Sequence, residues 1–292
     1  MTSTPIHIAL TFDDNFWAPA YALMRSACVA THRRKDLVFH LLHLPLSAPH
    51  VHDLKEIETE FGASLRWYNL AEDAEFTEFV ADLPSSTQWP KVVYGRLLVG
   101  SLLPADVTRV IYLDCDMMVR DPIEDLFGMD MAGYPLAAVR DSIHPFIVGK
   151  RDMKQNRDLF ETADPYFNSG MLLIDLTAWR AIDIRAEVRA IAARGIMSRL
   201  YYDQDMLNLI FKDRWLPLPW RWNTIDAHVA HEGMNPAILH YTGVNKPWGI
   251  LSGILRTSAY ARWYRHVMTN ALFYRFARHR WARWWKKLLR LK

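Results

Sequence analysis

Three runs, PIHIALTF (residues 5–12), DLVFHLLHL (36–44) and RVIYLDCD (109–116), constrain this chain more than any other feature, because each is almost continuously apolar. A strand with one wet face alternates apolar and polar residues, whereas a strand covered on both faces does not. Covered strands belong to largely parallel sheets flanked by helices. The intervening segments supply such helices. FWAPAYALMRSACVATHRR (16–34) and HVHDLKEIETEFG (50–62, closed by Gly62) read as helices, SLRWYNL (64–70) as a strand, and VVYGRLLVGSLLP (92–104) as a helix stopped near Pro104. Later, PLAAVRD, GMLLIDL and AILHYTG read as strands and YYDQDMLNLIFKD as a helix. The alternation predicts an α/β domain with a mainly parallel central sheet, and the chain shows no internal repeat or low-complexity segment.

In such sheets ligands bind beyond the carboxyl ends of the strands. Asp13, Asp14 and Asn15 follow the first strand, Asp114 and Asp116 a later one, and His240 ends another. Residues two apart on an extended backbone point the same way, so Asp114 and Asp116 present their carboxylates together, roughly 7 Å apart along the chain. Two anions so placed repel unless a divalent cation joins them, and hard oxygen ligands suit magnesium or manganese. Asp203 and Asp205 repeat the Asp-x-Asp spacing, but inside a helical pattern, where i and i+2 do not share a face. The strand context therefore singles out the first pair. After His240, Gly243 permits close backbone approach, Lys246 offers a compact cation suited to phosphate, and Pro247 stiffens the segment. The chain has neither G-x-G-x-x-G nor G-x-x-x-x-G-K-[ST], so a cation together with Lys246 would have to hold phosphates here.

Charge divides the chain. Of its 35 Lys and Arg, 11 lie between Arg256 and Lys292 with no acid among them, leaving 24 bases against 32 acids, formally −8, for the first 255 residues. The segment RWYRHVMTNALFYRFARHRWARWWKKLLRLK (262–292) interleaves these cations with aromatics. As a helix it aligns Tyr274, Ala277, Trp281, Trp284, Leu288 and Leu291, the composition of an interfacial helix facing an anionic membrane surface. The alternative is that part of it folds back on the acidic body, with Trp263 and Tyr264 docking. Nucleic acid is disfavoured as a partner by the sign of the body's charge. At 51% apolar and 23% charged residues the chain is too hydrophobic for disorder. No apolar run approaches the ~18 residues needed to span a bilayer, and the N-terminus lacks a secretory layout. A cytoplasmic protein is expected, peripherally associated with the inner face of the membrane. Cys28 and Cys115 form neither a disulfide framework nor a zinc spacing.

Six ordered segments, LTFDDNF, YGRLLVGSLLP, VIYLDCDMMVRDPIEDLF, YFNSGMLLIDLTAWR, YYDQDMLNLIF and HYTGVNKPW, together resemble glycosyltransferase family 8, especially bacterial lipopolysaccharide α-galactosyl- and α-glucosyltransferases. The resemblance covers about residues 6 to 248. It implies a GT-A type nucleotide-diphospho-sugar transferase fold over residues 1–255, followed by a basic helical tail over 256–292. It also implies retaining transfer of a hexose from UDP-galactose or UDP-glucose to a saccharide acceptor, a lipopolysaccharide core or a glycolipid.

Residue by residue, the resemblance implies that Asp114, Asp116 and His240 hold manganese, with magnesium the alternative. Thr11, Asp13, Asn15 and Phe16 look like uridine contacts, with Asp14 and Cys115 in the same nucleotide site. Gly243 and Lys246 resemble the diphosphate clamp. Arg96, Asn168, Asp203 and Gln204 resemble the residues around the donor sugar. Two positions depart from the family pattern, Phe16 where Tyr is usual and Ser169 where Ala is usual. A double displacement would need a carboxylate beneath the anomeric carbon. The matching position is Gln204, which favours front-face displacement. The rival enzyme is a haloacid-dehalogenase-like phosphatase, whose pattern expects Thr or Val where Met118 stands. A non-catalytic peripheral membrane protein that binds nucleotide sugar is the third reading.

Overall fold

The computed structural model describes residues 4–86, 90–141, 159–160, 164–243, 245–249, 252 and 260–289. Strands β1 (Ile6–Phe12), β2 (Leu37–His43), β3 (Ser64–Asn69) and β4 (Arg109–Leu113) join β6 (Leu136–Arg140), β7 (Phe167–Asp175) and β8 (Trp215–Leu218) in one sheet ordered β3-β2-β1-β4-β7-β6-β8. Only β7 runs against the rest, so the sheet is mainly parallel, as the apolar runs predict. Both faces are covered. Ile8, Leu10, Ile111, Leu113, Met171 and Leu173 enter one core with α1 (Trp17–Ala30) and α2 (Ala48–Phe61). Their neighbours Ala9, Val110, Tyr112, Leu172 and Ile174 enter the other core, which includes α3 (Tyr202–Ile210). Two buried faces per strand explain why these strands lack alternation.

Gly62 closes α2 in the left-handed conformation (φ 69°), the cap expected there. Three elements differ from the sequence reading. Residues 92–104 do not form one α-helix: a 3₁₀ stretch, Lys91–Leu98, precedes a single α-turn, Val99–Leu102. Gly95 accounts for the tight path, since a Cβ there would lie 3.0 Å from Thr11 Cγ2 and 3.2 Å from Leu70 Cδ1. Close packing against β1 holds the segment down. The strand β8 carries Pro217, which argues against a strand until its place is seen: it is the sheet edge, where one ladder is free. A second sheet joins β5 (Met117–Val119), β10 (Ile238–His240) and β9 (Thr224–Ile225); β10 is the strand read in AILHYTG, whereas β5 and β9 are too short to leave a periodic signal.

The C-terminal region forms α4 (Ala261–Met268) and α5 (Asn270–Leu288), broken at Thr269, whose φ is 65°. Tyr264, Val267, Met268, Leu272, Phe273 and Phe276 are buried in the core that contains α1. Arg275 reaches the buried Asp53 at 2.7 Å, and Trp17 donates to the same carboxylate at 3.1 Å. Tyr264 is fully docked, whereas Trp263 is partly exposed beneath Arg120, 5.0 Å from its ring. Ala277, expected on the exposed stripe, is buried instead; Leu291 lies outside the described residues. Among the described residues no helix is long and apolar enough to cross a membrane.

Candidate active site

The Asp-x-Asp pair sits where the chain leaves one sheet for the other. β4 ends at Leu113, the chain turns, and β5 begins at Met117. The backbone of Asp114 donates to Gly170 of β7 (2.8 Å), and the Asp116 carbonyl accepts from Tyr241 just past β10 (3.0 Å). The carboxylates therefore project from a turn closed by Met117 N–H to Asp114 O (3.2 Å), not from the extended strand expected. The outcome is tighter than an extended backbone allows: ligand atoms of Asp114, Asp116 and His240 all lie within 4.8 Å of one another.

Antiparallel pairing of β10 with β5 sets His240 opposite Met117, which brings its imidazole to the turn. His240 Nε2 lies 3.3 Å from Asp116 Oδ1 and 3.9 Å from Asp114 Oδ2. The other ring nitrogen, Nδ1, is 2.9 Å from Asn223 Oδ1. Nε2 is thereby left for the aspartates. Gly170 makes room for this contact, because a Cβ at that position would stand 2.3 Å from His240 Cε1 and 2.9 Å from Asp114 Oδ2. Two carboxylates and an imidazole suit one manganese or magnesium ion, around which octahedral donors at ~2.1 Å sit about 3 Å apart.

Two cations divide the carboxylates. Lys246 Nζ binds Asp116 Oδ2 at 2.7 Å and also donates to the Tyr241 carbonyl. Arg96, buried beneath the turn, gives Nη2 to Asp114 Oδ1 (2.8 Å), Nε to Asp203 Oδ2 (2.9 Å) and Nη1 to the Ser169 carbonyl (2.9 Å), over the ring of Tyr112. Burial opposes ionisation of Asp116, but Lys246 and His240 outweigh it and hold its pKa below the usual carboxylate range. Asp114 goes the other way, raised by burial and by the adjacent Asp116 against the pull of Arg96. Burial also pushes Asp203 up to about 6, with Arg96 a partial offset.

Beside Arg96 lies a wholly buried polar network. Gln204 Oε1 accepts from Asn168 Nδ2 (3.1 Å) and Ser169 N–H (3.1 Å), while its Nε2 donates to Asp141 Oδ2 and Tyr166 OH, both at 3.1 Å. Asn168 stands in β7, and Asp203 and Gln204 on the first turn of α3. Asp205 does not share the Asp203 face, as the helical reading of the second Asp-x-Asp expects; it accepts from Tyr166 OH (2.5 Å), on the far side of Gln204 from Arg96.

The first loop forms the rim. Asp13 caps Asn15 through both carboxylate oxygens, at 2.9 Å each. Phe16 is exposed and meets Trp248 edge-on at 5.9 Å, so the β1 loop and the segment after β10 touch. Thr11 bonds Tyr112 OH at 2.7 Å, and Tyr112 OH donates to Asp114 Oδ1 at 3.1 Å. Asp14 turns away from this rim, its Oδ1 accepting from Ser47 N–H (2.8 Å) and facing His50 Nδ1 (2.6 Å) at the start of α2. The Cys115 thiol also points inward, donating to the Thr11 carbonyl at 3.5 Å, and burial pushes its pKa up. Gly243 shows no crowding, for a Cβ there would meet only Asp226 Oδ1 at 3.8 Å. The structure thus gathers Arg96, Asp114, Asp116, Asn168, Asp203, Gln204, His240 and Lys246, with Thr11 reaching the group through Tyr112. Sequence reasoning missed Tyr112, Asp141, Tyr166, Gly170 and Asn223. Of these, Tyr112, Tyr166 and Gly170 stood inside quoted motifs.

The family model for glycosyl transferase family 8 matches residues 7–251. General stress protein A of Bacillus subtilis is 26% identical over 261 residues, covering 83% of this chain and 87% of that one. A lipopolysaccharide 1,2-glucosyltransferase of Escherichia coli K12 is 28% identical over 189 residues, 59% of this chain and about half (53%) of the relative. Among solved structures, the galactosyltransferase LgtC in complex with donor and acceptor sugar analogs superposes with a TM-score of 0.72 at 25% identity, covering 90% of this chain and 95% of that one.

Proposed function

The chain belongs to glycosyl transferase family 8, and from that premise we propose that it moves galactose or glucose from a UDP-sugar to a saccharide acceptor, with retention at the anomeric carbon. The observation that carries the reading is the convergence of Asp114, Asp116 and His240 beside Lys246, a divalent-cation ligand set with a phosphate-sized cation next to it. Family membership removes the ground for the phosphatase alternative, and an intact ligand set speaks against a non-catalytic role. Manganese bound there supplies Lewis-acid stabilisation of the charge on departing UDP. Lys246 is within reach of the same diphosphate, and Phe16 with Trp248 offers an aromatic rim for uracil. Gly243, Asp13 and Asn15 complete the nucleotide side. Lipopolysaccharide core or a glycolipid is the proposed acceptor, supported by the Escherichia coli relative's name and by the tail.

On the sugar side, Asp203 is a poor nucleophile, since Arg96 and Ser169 Oγ (3.3 Å) both engage its Oδ2. Gln204, an amide held at both ends, fits a positioning dipole. Front-face displacement follows, with a UDP oxygen accepting the acceptor's proton; a covalent sugar trapped on Asp203 and seen by mass spectrometry would sink it. The decisive test is a nucleotide-sugar panel assayed for UDP release with manganese. UDP-galactose or UDP-glucose should give acceptor-dependent turnover, and release from neither overturns the reading.

The tail supports a membrane-surface acceptor. The first turns of α5 are docked, but Trp281 (65% exposed), Trp284 (56%), Trp285 (47%), Leu288 and Leu289 face solvent among Arg283, Lys286 and Lys287. Aromatics with cations beside them suit a headgroup layer, each cation contributing about 1 kcal/mol near an anionic surface. Deleting everything after Leu255 would also strip Tyr264, Phe273 and Phe276 from the core, so the cut belongs after Arg280. That truncation is expected to lower sedimentation with phosphatidylglycerol vesicles about tenfold or more while leaving UDP release on a soluble acceptor near the full-length rate. Undiminished sedimentation would remove the anchor.

A further inference from the structure

We propose that Asn223 is a positioning residue that locks the His240 imidazole and the amides of Asn168 and Gln204 into one orientation, so that the metal-facing nitrogen and the donor-sugar platform are set as a unit. The inference deepens the transferase reading and rests on it for its catalytic consequence, though not for its geometry.

The argument starts from two groups whose roles are beyond choice, the backbone N–H donors of Ser169 and Gly170. Side-chain amides can point either way, and their polarity must be inferred from partners. Gly170 N–H donates to Asn168 Oδ1 at 3.0 Å. That oxygen also faces Asn223 at 2.9 Å, so Asn223 must present its NH₂ there. Its Oδ1 is then directed at His240 Nδ1, 2.9 Å away, and an oxygen acceptor demands N–H on that ring nitrogen. Nε2 is then the ring nitrogen turned towards Asp116 and Asp114, where a metal ion would meet it. From the other end, Ser169 N–H donates to Gln204 Oε1, which turns the Gln204 NH₂ towards the Asp141 carboxylate. Asn168 Nδ2 donates to Gln204 Oε1 and so joins the two halves.

The result is a directed series of donors and acceptors, His240 to Asn223 to Asn168 to Gln204 to Asp141. Every member is buried except for the edge of the site, and reversing any one amide sets oxygen against oxygen or hydrogen against hydrogen. In a low-dielectric interior such a mismatch is costly, so the backbone donors of Ser169 and Gly170 fix the direction of the whole series. Asn223 is suited to the link by place as well as chemistry. It ends the 3₁₀ turn Trp220–Asn223 and leads into β9, whose Thr224 and Ile225 pair with Leu239 and His240. Among the described residues, Asn223 is the side chain that meets His240 Nδ1.

The test uses the full chain and two variants. Asn223→Leu removes both links, whereas Asn223→Asp keeps an acceptor for His240 Nδ1 but sets a carboxylate oxygen against Asn168 Oδ1. Ring ¹⁵N shifts of metal-free protein at alkaline pH report the His240 tautomer, and manganese binding is read by electron paramagnetic resonance. Wild type should hold the Nδ1–H tautomer. Asn223→Leu should lose that preference and bind manganese about 10- to 100-fold more weakly, the usual cost of removing a partner behind a ligating histidine. Asn223→Asp should keep the tautomer and bind manganese within a few fold of wild type, yet turn over donor more slowly at saturating metal. A merely structural role would lower the melting temperature of both variants without moving the tautomer. If Asn223→Leu retains the Nδ1–H form and wild-type manganese affinity, the proposal is overturned. Failure of every nucleotide sugar to yield UDP, with the tautomer and manganese results as expected, would instead overturn the transferase reading and leave the positioning role standing.

Discussion

Asp116→Asn is expected to lower kcat for UDP release by about 10³-fold or more, with the loss persisting at saturating manganese. The substitution is close to isosteric, so it changes charge rather than shape. Asp116 Oδ1 is the carboxylate oxygen nearest His240 Nε2, and its Oδ2 anchors Lys246. One change therefore weakens two parts of the proposed diphosphate site. Lewis-acid stabilisation of a leaving phosphoryl group is worth several kcal/mol, and about 4 kcal/mol corresponds to a factor of about 10³. Asp114→Ala would be a less clean probe, because Asp114 is also a partner of buried Arg96. His240→Ala is expected to act first on metal affinity, since a neutral ligand is lost. Measuring rate across a manganese titration separates the cases. Full recovery of Asp116→Asn at high manganese would mean that the residue sets affinity alone, and a rate within tenfold of wild type would deny it any part in the reaction.

What could be read ahead of the structure follows the range of the interactions involved. Asp114 and Asp116 were legible because apolar runs mark where the strands of a parallel sheet end; His240 also ends a strand, but it reaches them through the antiparallel β10–β5 pair of the small sheet. Lys246 came with His240, six residues away. Asn223 carried no such mark, and Asp141, though it ends the expected strand PLAAVRD, carried nothing to say what it would meet. Their roles arise from hydrogen bonds across 55 residues to Asn168 and 63 to Gln204. Gly170 is similar: an invisible necessity until His240 is seen against it. In the small sheet β10 was read, as part of AILHYTG, while β5 and β9 escaped because strands of two and three residues fall below any repeat. In the tail, composition speaks for a whole segment, whereas docking is decided position by position. Phe273 and Phe276 are buried while Tyr274 between them is exposed, a division that their shared aromatic character does not announce.

Arg96→Met should destabilise the protein by about 3–5 kcal/mol at neutral pH, and the deficit should shrink as the pH falls. Arg96 is 4% exposed and serves Asp114 and Asp203 at once. Removing it leaves two carboxylates in a buried site with no cation between them, and breaking a buried ion pair from one side costs an amount of that order. The pH dependence fixes the cause. Asp203 already has its pKa raised to about 6 by burial, and Asp114 is raised as well. A carboxyl whose pKa is higher folded than unfolded binds its proton more tightly in the native state. Its contribution therefore disfavours folding above the folded value and fades as pH falls towards the unfolded value near 3.9. Without Arg96 both values rise further, so the gap between variant and wild type should be largest above pH 7 and narrow steadily from there to about pH 5. For a domain of this size 3–5 kcal/mol corresponds to a Tm about 5–8 °C lower, readily followed by thermal melts across that range. Arg96→Lys should fall between the two, since one ammonium cannot match the geometry of a guanidinium that meets Asp114, Asp203 and the Ser169 carbonyl together. A deficit that stays constant from pH 5 to pH 8 would assign the loss to packing over Tyr112 and not to uncompensated charge.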